Sequence, residues 1–132
     1  KGLFYASTHQ SPLYPGTGHV HDHGKGVIVN APLAASSGSN AFRKAFESRI
    51  IPALKEFNPD FILISAGFDA HSLDPLADLN LDTEDYYFAT EQLLKVADEC
   101  SKGRLVSSLE GGYNLGIIGE CAQRHVCALM NG

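Results

Sequence analysis

FILISAG, residues 61–67, is a nearly continuous apolar run of strand length, and the polar segment FDAHSLDP follows it directly at residues 68–75. A run without polar alternation is typical of a strand that is covered on both faces, as strands of parallel sheets are. In such sheets ligands bind outside the carboxyl ends of the strands. Asp69 lies just beyond this run. The sequence therefore places a carboxylate where a binding site is expected.

The remaining elements alternate in type around this strand. β-Branched and aromatic runs bounded by Gly or Pro predict three more strands, at residues 2–8, 26–33 and 104–110. Apolar residues at helical spacing predict helices at residues 42–57, 82–100 and 118–129. Ser39 and Asn40 are capping candidates for the first helix, and Pro52 is expected to bend it. Asp82 and Asp85 have the spacing of a capping box for the second.

This order of elements predicts an α/β fold with a mainly parallel sheet flanked by helices. Two loops follow strands in the second half of the chain, at residues 67–71 and 110–114. Neighbouring parallel strands end at the same edge of a sheet, so we expect Asp69 and Tyr113 to face one pocket.

Composition limits the classes of function. The 132 residues, 44% of them apolar, suffice for one domain with a core. A net charge of −5 with ten Lys and Arg gives no basic surface for direct nucleic-acid binding, and no apolar run is long enough to span a membrane. Three cysteines without a C-x-x-C pair favour a reducing, cytoplasmic setting. The chain begins at Lys1 and enters a strand almost at once, so we expect that other residues precede it.

The two strand-end loops carry residues with specific chemistry. Asp69 can offer a hard oxygen ligand to a divalent metal, with the imidazole of His71 nearby, or it can serve as a turn or helix cap. Tyr113 follows two glycines, so its phenol can approach a ligand and stabilise an oxyanion. The alternative for Tyr113 is a half-buried side chain that packs on the following helix. The residues by themselves leave both alternatives open.

Four segments together resemble the histone deacetylase family, in its class II-like and microbial branch, which has an arginase-like α/β fold. They are STHQSPLYPGTG (7–18), GKGVIVNAPL (24–33), ISAGFDAHSLDPLADL (64–79) and SLEGGYN (108–114). They occur in the family's order and extend over nearly the whole chain. The resemblance implies that residues 1–132 form the C-terminal part of a deacetylase catalytic domain.

The resemblance also implies site residues. Asp69 corresponds to one of three protein ligands of a catalytic Zn²⁺, and Tyr113 to the hydroxyl that polarises the acetyl carbonyl and stabilises the tetrahedral intermediate. The substrate is then acetylated lysine or a related acetylated amine. Tyr14 corresponds to an aromatic wall of the acyl-lysine channel and Leu76 to an apolar residue at its rim, while Gly111 and Gly112 correspond to residues that keep the channel open beside the metal. Two more correspond to a segment that holds a structural K⁺ or Na⁺: Ser7 and Thr8.

The chain departs from the family pattern in one respect. The D-x-H motif that supplies the other two zinc ligands, and the histidine pair that moves protons, lie upstream of KGLFYASTHQ in the family and are absent here. Catalytic zinc sites use three protein ligands, so this chain alone is expected to be inactive and to need the N-terminal half of the domain as its partner. A half-domain exposes a sheet edge, which makes a homo-oligomer a further expectation.

The other histidines and Asp74 have separate interpretations. His19, His21 and His23 lie in the cluster HVHDH, which we interpret as a solvated loop that binds metal adventitiously. Hydrogen-bonded packing is expected for two histidines in a strand end and a helix, His9 and His125. His71 is expected either to support a metal ligand without binding the metal itself or to lie at the surface, and a loop or cap role is expected for Asp74.

Three hypotheses about function follow. The first is that the chain is part of a zinc-dependent deacetylase. The second is that it is a binding module or pseudoenzyme that keeps the fold without catalysis. The third is an arginase-fold hydrolase with a manganese pair, which is disfavoured because only one acidic ligand follows the third strand.

Overall fold

The computed structural model describes residues 2–22 and 24–132, and it confirms the α/β fold class. The strands are β1 (Phe4–Gln10), β2 (Val27–Leu33), β3 (Ile62–Ala66) and β4 (Leu105–Leu109). The helices are α1 (Ser39–Ala45), α2 (Ile51–Phe57), α3 (Thr83–Ser101) and α4 (Ile118–Asn131), with a π-helical turn at Phe46–Ile50 between the first two. No helix within the described ranges is both long and apolar enough to cross a membrane.

The strands form two parallel pairs. β1 pairs with β2, with Phe4 opposite Val27, and β3 pairs with β4, with Ile62 opposite Leu105. The parallel direction and the pairing of β3 with β4 agree with the sequence prediction. A single sheet is not formed, since no ladder joins the two pairs among the residues that the structure describes. The apolar pattern specifies that a segment is a strand but not which strand lies beside it.

Only one face of the β3–β4 pair is covered. Ile62 and Ala66 are buried under helices, whereas Leu63 and Val106 are 66% and 50% exposed. The expectation that this strand is covered on both faces is therefore wrong for this chain. Parallel sheets normally carry cover on both sides, and here the other face presents apolar side chains to solvent.

The helical segment before β3 starts differently from the prediction. Gly38 occupies the N-cap position without a side-chain cap, and the hydroxyl of Ser39 donates to the carboxylate of Asp85 at 2.6 Å instead. The π-helical turn directly precedes α2, in which Pro52 lies in the first turn. Proline has no N–H to donate and crowds the preceding turn, which agrees with the expected irregularity at this point.

The capping box of α3 is confirmed and has a further role. Asp82 accepts from the N–H of Glu84 at 2.8 Å, and Asp85 accepts from the N–H of Asp82 at 3.0 Å. Asp85 is fully buried and also pairs with the guanidinium of Arg43 at 2.6 Å. One carboxylate therefore caps α3 and ties it to α1.

The core lies between the helices and the strands in three clusters. Val96 and Ala97 of α3 are fully buried and pack beneath β3, while Cys121 of α4 is fully buried beside Phe68. All three cysteines are free thiols. The packing of α3 and α4 against β3 and β4 sets the positions from which the loops leave these strands.

Candidate functional site

The loops after β3 and β4 meet at their first residues. The N–H of Phe68 donates to the carbonyl of Gly111 at 2.9 Å, which extends the parallel ladder beyond the strands. A Cβ built on Gly111 would lie 2.9 Å from Oδ2 and 3.0 Å from Cγ of Asp69. The carboxylate of Asp69 therefore lies directly against the backbone of Gly111, as the predicted common edge requires.

The carboxylate of Asp69 has no hydrogen bond or ion pair within the described part of the chain. It lines a cavity of about 690 Å³ together with Tyr14, which is 93% exposed, and residues of β1. A partly buried carboxylate without a partner is unusual, because such groups normally accept hydrogen bonds or bind cations. Of the predicted site residues, the cavity brings together Asp69, Tyr14 and Ser7.

Tyr113 and Leu76 lie outside the lining of this cavity. Their side chains are 55% and 61% exposed, so Tyr113 is about half-buried and the packing alternative for it stays open. Gly112 has φ +127°, and a Cβ there would lie 3.1 Å from atoms of Phe68 and Ile118. Glycine is therefore required to bring Tyr113 past the loop after β3. The structure joins the two loops, and convergence of the Tyr113 phenol with Asp69 stays a prediction.

Ser7 and Thr8 point to opposite faces of β1. Ser7 lines the cavity of Asp69, and its hydroxyl lies 2.9 Å from Nδ1 of His9, whose Nε2 lies 2.9 Å from the carbonyl of Gly18. Thr8 lines a smaller cavity of about 150 Å³ on the other side of the strand. The hydrogen-bonded role of His9 is confirmed, while the cation role of the serine and threonine stays a prediction.

The histidine-rich loop is organised by Asp22. Its Oδ2 accepts from the N–H groups of Gly18 and His19, and the side chains of His19 and His21 are exposed, as expected for a solvated loop. His23 lies outside the described residues. No group of three or more His, Cys, Asp or Glu side chains that could hold a metal is found in residues 2–22 and 24–132.

His71 and Asp74 organise the loop after β3 from within. His71 is buried, so the surface alternative is wrong, and its Nδ1 accepts from the N–H of Leu73 at 3.1 Å. Asp74 accepts from the N–H of Leu76 at 3.0 Å, which confirms the loop role. Both side chains were recognisable from sequence as polar groups in a turn, but their burial was not.

Tyr86 is a residue near the site that sequence reasoning missed. Its hydroxyl donates to the carbonyl of Phe68 at 3.1 Å, immediately before Asp69. Burial raises the pKa of Tyr86 far above its usual value, so the hydroxyl keeps its proton and remains a donor. The helical spacing of Tyr86 predicts only a core position, and nothing in the sequence indicates this hydrogen bond.

His125 bridges α3 and β4 behind the site. Its Nδ1 lies 2.6 Å from the hydroxyl of Thr90 and its Nε2 lies 2.8 Å from that of Ser107. Burial lowers the pKa of His125, which favours the neutral imidazole. The predicted packing role of His125 is confirmed.

A comparison with protein families identifies the fold and its relatives. The family model of the histone deacetylase domain matches residues 1–129. The chain belongs to the histone deacetylase family. Histone deacetylase 14, chloroplastic, of Arabidopsis thaliana is 49% identical over 117 residues, which are 86% of this chain and 28% of that protein.

Solved structures of the histone deacetylase family have the same fold. The HD domain of HDA15 superposes with a TM-score of 0.86 at 33% identity, over 97% of this chain and 37% of that one. The histone deacetylase Clr3 superposes with a TM-score of 0.88 at 33% identity, over 97% of this chain and 23% of that one. The chain spans only part of the length of its relatives, for example 28% of the Arabidopsis protein.

Proposed function

We propose that this chain contributes part of the active site of a zinc-dependent deacetylase that hydrolyses the amide of N-acetyl-lysine or a related acetylated amine. The observation that carries the proposal is the Asp69 carboxylate, which lines the large cavity without a hydrogen-bond partner among the described residues. The preceding residue, Phe68, donates its N–H to the carbonyl of Gly111 in the loop after β4. A rigidly held, unpartnered carboxylate at a strand end suits a metal ligand.

The described residues do not form a complete zinc site by themselves. They offer Asp69 and no cluster of three ligands, whereas catalytic zinc is bound by three protein side chains. The remaining ligands and the proton-transferring histidines would come from polypeptide outside this chain. The 132-residue chain alone is then inactive.

Zinc, when bound, supplies a Lewis acid that polarises the amide carbonyl and lowers the pKa of a bound water. The residues of this chain have other tasks. In the complete domain, the phenol of Tyr113 would donate a hydrogen bond to the oxyanion that develops at the scissile carbonyl. Tyr14 and Leu76 flank the acyl-lysine stem, and Gly111 and Gly112 leave space beside the metal because they carry no side chain.

A non-catalytic binding module is the second candidate. It is favoured because the described residues offer no group of three metal ligands, and a domain without such a group could keep the cavity and bind acetylated amines without cleaving them. The two candidates differ in what the complete gene product does with zinc.

The test uses the full-length gene product that contains these residues. We expect it to deacetylate an acetyl-lysine peptide or an acetylated polyamine, to lose activity after chelation, and to regain it with Zn²⁺. Asp69→Asn should abolish zinc retention, and Tyr113→Phe should keep zinc but lower kcat by about 100- to 1,000-fold. Asp78→Asn is the matched control, because Asp78 is an exposed carboxylate of the same loop.

Each outcome separates the candidates. A wild-type protein that binds acetylated ligands without hydrolysis supports the binding module. Unchanged activity in Asp69→Asn removes the metal role of Asp69, and unchanged activity in Tyr113→Phe removes Tyr113 from the mechanism.

A further inference from the structure

One buried carboxylate joins the two loops of the candidate site. Asp74 is 7% exposed, and its oxygens are divided between two backbone donors. Oδ1 accepts from the N–H of Leu76 at 3.0 Å, and Oδ2 accepts from the N–H of Tyr113 at 2.7 Å, across 39 residues of sequence. The two residues that it holds are the proposed rim of the substrate channel and the proposed oxyanion donor.

The contact has a second point of support. The side-chain amide of Asn114 donates to the carbonyl of Leu73 at 2.6 Å. In this second bond the loop after β4 supplies the side chain and the loop after β3 supplies the backbone group. Asp74 itself has no cationic partner among the described residues. A buried carboxylate without a counterion is costly unless hydrogen bonds stabilise it, which makes these two N–H groups its main compensation.

We propose that Asp74 is a positioning residue that sets Tyr113 and Leu76 relative to Asp69. The inference rests on the proposed function, because it gives Tyr113 and Leu76 their roles on the substrate. The chemistry requires a carboxylate. Two N–H groups that approach from different directions need two acceptors, and an asparagine offers one acceptor and turns an N–H₂ group toward the other donor. Asp74 acts through Tyr113 and does not touch the reacting atoms.

The first measurement is amide hydrogen exchange, which needs no catalysis. In the wild-type protein, the amides of Tyr113 and Leu76 should exchange at least about tenfold more slowly than that of Leu115. Leu115 lies in the same loop as Tyr113, is 90% exposed, and its N–H has no hydrogen bond to any described residue. Asp74→Asn should remove the protection of one or both amides, while Asp78→Asn and Tyr113→Phe should leave it unchanged. If Asp74→Asn does not fold, the wild-type comparison still decides, because equal exchange at Tyr113 and Leu115 overturns the proposal.

The second measurement is a double-mutant cycle in the full-length gene product. Asp74→Asn should lower kcat by about tenfold in the wild-type background and by less than about twofold in Tyr113→Phe, where the phenol no longer contributes. Equal effects in both backgrounds would show that Asp74 stabilises the fold without positioning Tyr113. A wild-type protein that lacks activity but protects the Tyr113 amide refutes the proposed function alone, whereas an active protein with an unprotected amide refutes the positioning role alone.

Discussion

Replacing Gly111 with alanine tests the role of Asp69 without changing the residue at position 69. The new Cβ would lie 2.9 Å from Oδ2 and 3.0 Å from Cγ of Asp69, whereas ordinary contact begins at 3.4 Å. The carboxylate must therefore move by about 0.5 Å, the difference between 3.4 and 2.9 Å. Gly111 is not among the glycines with positive φ, so alanine adds no backbone strain there.

This displacement should separate stability from metal binding. Because the Asp69 carboxylate has no hydrogen bond to lose within the described residues, we expect the free energy of unfolding to change by less than about 1 kcal/mol. Metal–ligand distances tolerate only about 0.2 Å, so zinc affinity of the full-length gene product should fall by about 10- to 100-fold. Activity at limiting zinc should fall in parallel.

The assay is zinc competition against a chelating dye, beside thermal unfolding and deacetylase rates. Gly119→Ala is the matched control, because a Cβ at Gly119 meets no atom within 4 Å. Wild-type zinc affinity in Gly111→Ala would refute the reasoning, since a ligand displaced by this distance cannot keep its geometry. A large loss of stability in the same variant would instead show that Asp69 is held by the fold itself.

Two further predictions concern stability of the chain. Asp85→Asn should lower the free energy of unfolding by about 3 kcal/mol in urea titrations, because it removes the charge of a fully buried carboxylate that pairs with the partly exposed Arg43. Asp82→Ala should cost only about 1 kcal/mol as the loss of a cap, and equal costs would contradict the larger role of Asp85. Burial lowers the pKa of His125 from its usual 6.5, so the unfolded chain binds the extra proton more readily than the folded one. The free energy of unfolding should therefore fall as the pH drops below about 6.5. Thermal unfolding midpoints measured from pH 5 to 8 should show this decrease, and His125→Gln should make it smaller.

Most of the elements follow from local sequence, and the exceptions have identifiable causes. The capping box of Asp82 and Asp85 was predictable because both partners lie within one turn of helix. The capping role expected for Ser39 is wrong because Asp85, 46 residues away, accepts its hydroxyl hydrogen bond instead. Local patterns cannot reveal a partner that arrives through tertiary packing.

The candidate site divides in the same way. The sequence by itself determined the strand–Gly–x–Asp and Gly–Gly–Tyr arrangements that place Asp69 and Tyr113 at strand ends, since residue type and order are fixed by the chain. Only the tertiary structure decided that Gly111 lies against the Asp69 carboxylate and that Asp74 is buried. It also decided that Asp74 accepts a hydrogen bond from the N–H of Tyr113. These contacts depend on the pairing of β3 with β4, and pairing is a property of how strands assemble in space, which no single strand's pattern encodes.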